Sequence, residues 1–412
     1  MRPASGLREV VGWPRLLCAV GISVTGDQLS SIAVAAYLLA HGSPAWVAAY
    51  YFVAIGIRLV AGSNAGKLAD RHNRQRLLVL ADVGRATIMT ALAGVIWADG
   101  SPIVVIALIG LSNLLATIYR PAFAAWLPNL VPAELLPNAN SAEAAMHQVG
   151  WILGPAIGAA MAATFSTSVA VLANAATFGV AAVITAGVKV QSNPIDPSQT
   201  APDSAVAQPA DATDAPDPGV DADVANEFLF SQRDVLAVTA AVMLAFGAEL
   251  VLHFVLAERV YGMGAAGAGY LTAAAGIGGL IGSVGASNAY HRYGVRWTLV
   301  GSVIVGGVFT ATLGVVPLVG ALALIAAKGA LDMFFEVALC SHIQSSVPDS
   351  ELGATFGRLD ALGAGAQLGG VTATPILLNL TSPATAVAVF GLAASLVAAT
   401  VWVRTTPAGV LA

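Results

Sequence analysis

Apolar residues run along this chain in long blocks separated by short polar breaks. A helix needs about 20 mostly apolar residues to cross a bilayer. Twelve segments meet that length: 14–38, 45–66, 77–97, 102–126, 141–164, 168–187, 235–258, 265–289, 297–316, 318–342, 352–378 and 382–403. The pattern predicts an all-α membrane protein with twelve transmembrane helices. One break is long. Residues 191–227 contain six prolines, seven aspartates and one glutamate, with no lysine or arginine. Few apolar side chains and self-repelling charge predict disorder there. The expected organisation is a six-helix bundle over 1–190, an acidic linker over 191–232 and a second six-helix bundle over 233–412.

Composition narrows the class. The chain of 412 residues is 57% hydrophobic and 10% charged, with a mean hydropathy of +0.79. Soluble domains carry about 25% charged residues, so the soluble enzyme classes drop out. The net charge is −5, and no basic cluster is long enough to follow a phosphate backbone, so nucleic acid is not an expected partner. Cys18 and Cys340 fall inside apolar segments and offer no metal site. There is no Gly-Lys-Ser/Thr nucleotide loop, so no ATPase site is expected, and neither cofactor, metal nor catalytic set is expected. The first span lacks a small-residue cleavage site and reads as a retained helix.

Charge also orients the spans. With both termini cytoplasmic, the inner segments hold 13 of the 18 lysines and arginines, and the outer loops hold Arg259 alone. The positive-inside rule then puts both ends inside, and the expected location is a bacterial inner (plasma) membrane with multiple spans. Trp13, Trp46, Trp97, Trp126, Trp297 and Trp402 fall at predicted span ends, as interfacial belts do.

The halves echo each other at an offset near 220. Gly66–Arg76 corresponds to Ser287–Trp297, Val131-Pro132 to Val347-Pro348, and Gly150 and Pro155 to Gly370 and Pro375. These matches suggest a parallel duplication of six spans. The segment Gly66-Lys67-Leu68-Ala69-Asp70-Arg71-His72-Asn73-Arg74-Gln75-Arg76 resembles the cytoplasmic signature of the major facilitator superfamily, with Asn73 where a second glycine is usual. Asn tolerates a left-handed turn. Gly150, Gly154, Pro155 and Gly158 resemble the Gly-Pro motif of the antiporter branch. Glycines at i, i+4 and i+8 strip one face for close helix packing, and Pro155 permits a kink. Tyr119-Arg120-Pro121-Ala122, with Asp82 and Arg85 near the start of span three, is similar to the siderophore-exporter and macrolide- and multidrug-efflux branch. In the resembled fold, helices one, four, seven and ten line a central cavity.

Ionisable groups at mid-bilayer are costly, about 2.5–3.5 kcal/mol each on insertion scales, and should face a cavity or a partner. Asp27 and Glu249, 222 residues apart, are the candidates for proton coupling. The alternative is a structural carboxylate, Glu249 bonded to His253 one turn on. Candidate cavity residues are Gln28, Asn113, Tyr119, His253, Lys328, Asp332 and Glu336. Lys328 and Asp332 are spaced to pair on one helix face, leaving Glu336 unpaired to attract cations. Gly66, Asp70, Arg71, Arg74 and Arg120 form a candidate cytoplasmic gate, with Asp70 near a helix N-terminus and Arg120 as its partner. Glu143 and His147 read as structural, and Arg58 has no evident role.

The resemblance implies a monomeric secondary transporter in membrane lipid that exports a small amphipathic compound (a drug, siderophore or lipophilic metabolite) against protons. A proton-symport importer on the same fold and a non-transporting sensor or scaffold remain as rivals.

Overall fold

The computed structural model describes residues 12–41, 44–188, 231–263 and 267–406, together with Leu7 and Val10. Residues 191–230 of the acidic linker, the domain boundary drawn at its start, and Arg2, Arg8 and Lys189 lie outside the described residues.

Among the described residues twelve α-helices follow one another: α1 (Trp13–Ala40), α2 (Pro44–Arg71), α3 (Arg74–Trp97), α4 (Pro102–Trp126), α5 (Leu136–Thr164), α6 (Thr167–Ala186), α7 (Gln232–Val255), α8 (Gly267–Arg296), α9 (Ser302–Thr312), α10 (Leu318–Ser346), α11 (Leu352–Leu380) and α12 (Pro383–Arg404). A π turn over Leu256–Val260 extends α7, and another over Trp297–Gly301 leads into α9. Polar residues start several helices by accepting from an otherwise unpaired backbone N–H. Ser231 and Asp234 form a reciprocal capping box at α7, and Ser166 and Ser382 cap α6 and α12.

Asn73 does not make the expected left-handed turn. It is extended, and its side chain accepts from the Arg76 N–H at 2.9 Å as the N-cap of α3. The matching Gly294 does take the left-handed region, at φ 75°, and breaks α8 from α9. The two copies of one sequence position thus turn the chain by different means.

Packing repeats under a shift of six helices. α1 packs on α5 and α6 as α7 packs on α11 and α12. α2 packs on α4 as α8 packs on α10, and α3 on α4 and α6 as α9 on α10 and α12. The two halves meet along α2–α11 and α5–α8, a pair of seams that the same shift exchanges. Among the described residues nine runs are long and apolar enough to span a membrane, with α8 and α9 merged into one. α5 falls short because its first half is polar, including Asn140 and Gln148, which bond across to the other half, and α2 carries Arg58 and Asp70 toward α11. Glycines bring backbones together at these seams. A Cβ at Gly66 would strike the Gly353 carbonyl, and one at Gly357 the Gly62 carbonyl. Gly150, Gly154 and Gly158 lay α5 along α1 at Val24, Thr25 and Leu29, and Gly247 and Gly370 do the same for α7 and α11.

The end of the bundle that holds the α2–α3, α4–α5, α8–α9 and α10–α11 connections is called the basic end below, after its lysines and arginines.

Candidate functional site

In the N-terminal half, Asp27 sits halfway along α1. Arg85 Nη2 on α3 donates to both of its carboxylate oxygens at 2.8 Å. The guanidinium lies 4.0 Å over the Phe178 ring of α6, a cation–π contact that strengthens when water is excluded. Arg85 Nε reaches the Ser112 hydroxyl at 3.5 Å. The arginine is nearly buried, while the Asp27 side chain keeps 35% of its surface open. The sequence placed Arg85 near the end of its span. α3 begins at Arg74, three residues earlier than expected, so Arg85 reaches mid-helix and meets Asp27.

In the C-terminal half, Lys328 on α10 holds two carboxylates. Its Nζ donates to Glu249 Oε2 on α7 and lies as close to Asp332 Oδ2 on α10, both at 2.8 Å. The Thr310 hydroxyl donates to Glu249 Oε1 at 3.3 Å. An ammonium has three donors, and buried carboxylates require partners of this kind. Glu249 is therefore not bonded to His253, whose Nδ1 instead lies 3.5 Å from the Thr272 hydroxyl on α8. The cluster holds one cation and two anions.

The other cavity candidates divide. Asn113 donates to the Ile109 carbonyl of its own helix, and the Gln28 Cβ packs over Gly154. The Tyr119 hydroxyl is buried without a partner, and its ring stacks on Phe123. Glu336 is not unpaired: Arg120 Nη2 donates to it at 3.0 Å across the halves. Glu143 and His147 face each other at 3.6 Å along α5.

At the basic end the halves are latched. Asp70 accepts from the backbone N–H groups of Gly353 and Ala354, at 2.7 Å each, at the N-terminus of α11. Four unpaired N–H groups and the helix dipole favour a carboxylate there. Arg74 faces Asp70 at 3.5 Å and donates to Asp349 Oδ1 at 2.5 Å and to the Asp349 carbonyl. Arg71 is exposed beside this contact. Arg120 does not pair with Asp70, contrary to the sequence reading. It stands six residues inside α4, about 9 Å from its end, and turns instead to Glu336 and to Asp360 on α11 at 3.6 Å.

Two residues escaped the sequence reading. Asp360 went unnoticed and Arg58 unexplained, yet Arg58 Nη2 on α2 donates to Asp360 Oδ1 at 2.6 Å. Both are charged groups inside apolar spans, which is the signal that would have flagged Asp360. In this network the N-terminal half supplies the arginines, 58, 74 and 120, and the C-terminal half supplies the acids, Glu336, Asp349 and Asp360. Asn140 on α5 adds neutral bonds to α10 of the other half, to Ser341 at 2.9 Å and Gln344 at 2.7 Å.

Two pseudo-symmetric helical lobes with paired ionisable groups on their inner helices, joined by a polar latch, define a multi-pass membrane transporter. The chain belongs to the Major Facilitator Superfamily, whose sequence profile matches residues 16–290. It is 30% identical over 180 residues to the uncharacterized MFS-type transporter YfiS of Bacillus subtilis (strain 168). That match spans 43% of this chain and 42% of the relative, less than half of either protein. Its fold is similar to a bacterial homologue of the iron transporter ferroportin in an outward-facing state. That likeness has a TM-score of 0.73 at 17% identity and covers 96% of this chain and 99% of the other. It is equally similar to the proton:xylose symporter XylE, with a TM-score of 0.73 at 12% identity, covering 97% of each chain. The human organic anion transporter MFSD10 follows at 0.70 and 13%, covering 94% and 99%.

Proposed function

We propose that the chain exports a small amphipathic compound from the cytoplasm in exchange for protons, by alternating access between its two halves. The observation that carries this reading is the mid-membrane pairing of Asp27 with Arg85 and of Glu249 and Asp332 with Lys328. The second cluster has one carboxylate more than it has cations, so it favours a positively charged guest: a protonated amine on a drug or metabolite, or a proton itself. The partly open faces of Asp27 and Asp332 are where such a guest makes contact. Asp27 and Glu249 are the coupling carboxylates of this reading, and each exchanges its present cation for the guest.

The latch at Asp70, Arg74 and Asp360 holds the basic, cytoplasmic side closed, and the conformation is the one that releases cargo outward. The Gly-Pro motif of α5 supports export. The symporters among the structural relatives support the second reading, uptake driven by protons on the same fold.

The test is transport in proteoliposomes under an imposed pH gradient, screened over cationic drugs, siderophores and lipophilic metabolites. Export predicts accumulation of a cationic compound against its gradient when protons flow in the opposite direction. Accumulation with the proton flow would establish uptake, and no response to the gradient with any compound would remove proton coupling.

A further inference from the structure

Asp82 stands on α3, one turn before Arg85, and is completely buried. Neither of its carboxylate oxygens has a hydrogen-bond partner. This sets it apart from Asp27, Asp70, Glu249, Asp332, Glu336 and Asp360, all of which are held by a cation or a backbone N–H.

The surroundings of Asp82 are known on every side. Arg85, three residues on, shares its helix face but directs its donors to Asp27 and Ser112. α6, packed along α3, has no ionisable side chain. α4 presents Tyr119, whose hydroxyl is also buried and unpartnered, within electrostatic reach of Asp82 and of Glu143 on α5. Burial is the dominant influence on Asp82; the Arg85 cation favours a charge there, and Asp27 on α1 opposes it more weakly. A buried carboxylate without a donor, beside another carboxylate, is far costlier ionised than neutral.

We propose that Asp82 is a proton-binding site, occupied in this conformation, and that Arg85 exchanges between Asp27 and Asp82 so that a proton and a cationic substrate bind alternately. The proposal rests on the export reading and adds to it the place of the proton and the charge of the substrate. When a cationic substrate pairs with the open face of Asp27, Arg85 is released and turns back along α3. The O–H bond of Asp82 breaks, the proton passes to water, and the new carboxylate is held by Arg85. One positive charge enters the site and one leaves.

Position gives the exchange a direction. Asp82 and Arg85 lie eight and eleven residues into α3, roughly 12 and 16 Å from its basic end. The proton site is therefore on the basic side of the substrate pair, behind the closed latch. It is reached past Asp27 in this conformation and drains to the basic side once the latch opens.

The test is infrared difference spectroscopy of the full-length protein in lipid, reading the carbonyl stretch of a protonated carboxylic acid at neutral pH. The wild-type chain should show the band. Asp82→Asn should abolish it, and Asp82→Glu should shift its frequency without removing it. Asp27→Asn, which leaves Asp82 intact but frees Arg85, should also abolish it. A wild-type chain with no such band, or an undiminished band in Asp82→Asn, overturns the proton site. A band that survives Asp27→Asn overturns the exchange. The band is read without transport, so failure of proton-driven export in the wild-type chain would remove the export reading and leave the Asp82 assignment standing.

Discussion

The N- and C-terminal halves place Asp27 and Glu249 at matching depths but neutralise them differently. Asp27 receives its arginine from α3, and the pair is balanced. Glu249 receives its lysine from α10, the counterpart of α4, and that lysine also serves Asp332. Matching positions thus carry a carboxylate in both halves, while the cation comes from a non-equivalent helix in each. The consequence is an electrostatic asymmetry: a one-to-one pair on one side and a cluster with surplus negative charge on the other.

The largest expected effect comes from breaking the cluster. Lys328→Met leaves two carboxylates together with no cation, and breaking a buried pair in this way costs about 3–5 kcal/mol. A strongly lowered melting temperature in detergent is expected, with recovery when Glu249→Gln and Asp332→Asn are added. A single variant as stable as the wild type would mean that the cluster is solvated.

The latch comes next. Asp70→Asn removes the charge from the α11 N-terminus, an interaction of about 1–2 kcal/mol in partly buried geometry. Insertion should be normal, and the population closed at the basic end should fall about 5–30-fold relative to its open counterpart. Slower turnover should accompany that fall, and unchanged turnover would refute the latch. Gly66→Ala acts on the same seam by steric means, since its Cβ would meet the Gly353 carbonyl. It should favour the open basic end without changing any charge, which separates close packing from electrostatics in the latch.

The smallest effect lies at the opposite end. His41 caps α1, its ring bonded to the Tyr37 carbonyl and to Asp99. The backbone bond first, and the carboxylate with it, raises its pKa above the ordinary 6.5. A raised pKa means a contribution present below 6.5 and lost as pH rises through the folded value. Melting temperature should fall slightly across that window, and Asp99→Asn should flatten part of the dependence. Asn suits the left-handed backbone of residue 99, at φ 55°. A slope unaffected by Asp99→Asn would assign the effect to the Tyr37 carbonyl alone.

Much of this was legible in the sequence. The twelve helices follow from local composition and the family from its motifs, and the approach of Asp70 to another helix's N-terminus is what the resemblance to that family implied. Glu249, Lys328 and Asp332 stood out because charge inside an apolar span is rare, and i, i+4 spacing linked the last two. What spacing does not carry is contact between distant segments. Arg58 meets Asp360 across 302 positions, so the cost of each charge is legible along the chain but its partner is not. Glu336 was read as unpaired for the same reason, since Arg120 comes from the other half. Arg85 was misplaced by a boundary error of three residues, enough at 1.5 Å per residue to move a side chain from the end of a span toward its middle.

The account turns on the two halves rocking about a closed basic end. The direct measurement is a pair of spin-label distances in lipid: Lys67 to Glu351 across the latch, and Leu39 to Leu380 at the opposite end, all four exposed. Substrate, or Asp70→Asn, should lengthen the first distance and shorten the second together. Distances that stay fixed, or that lengthen together, would contradict the mechanism.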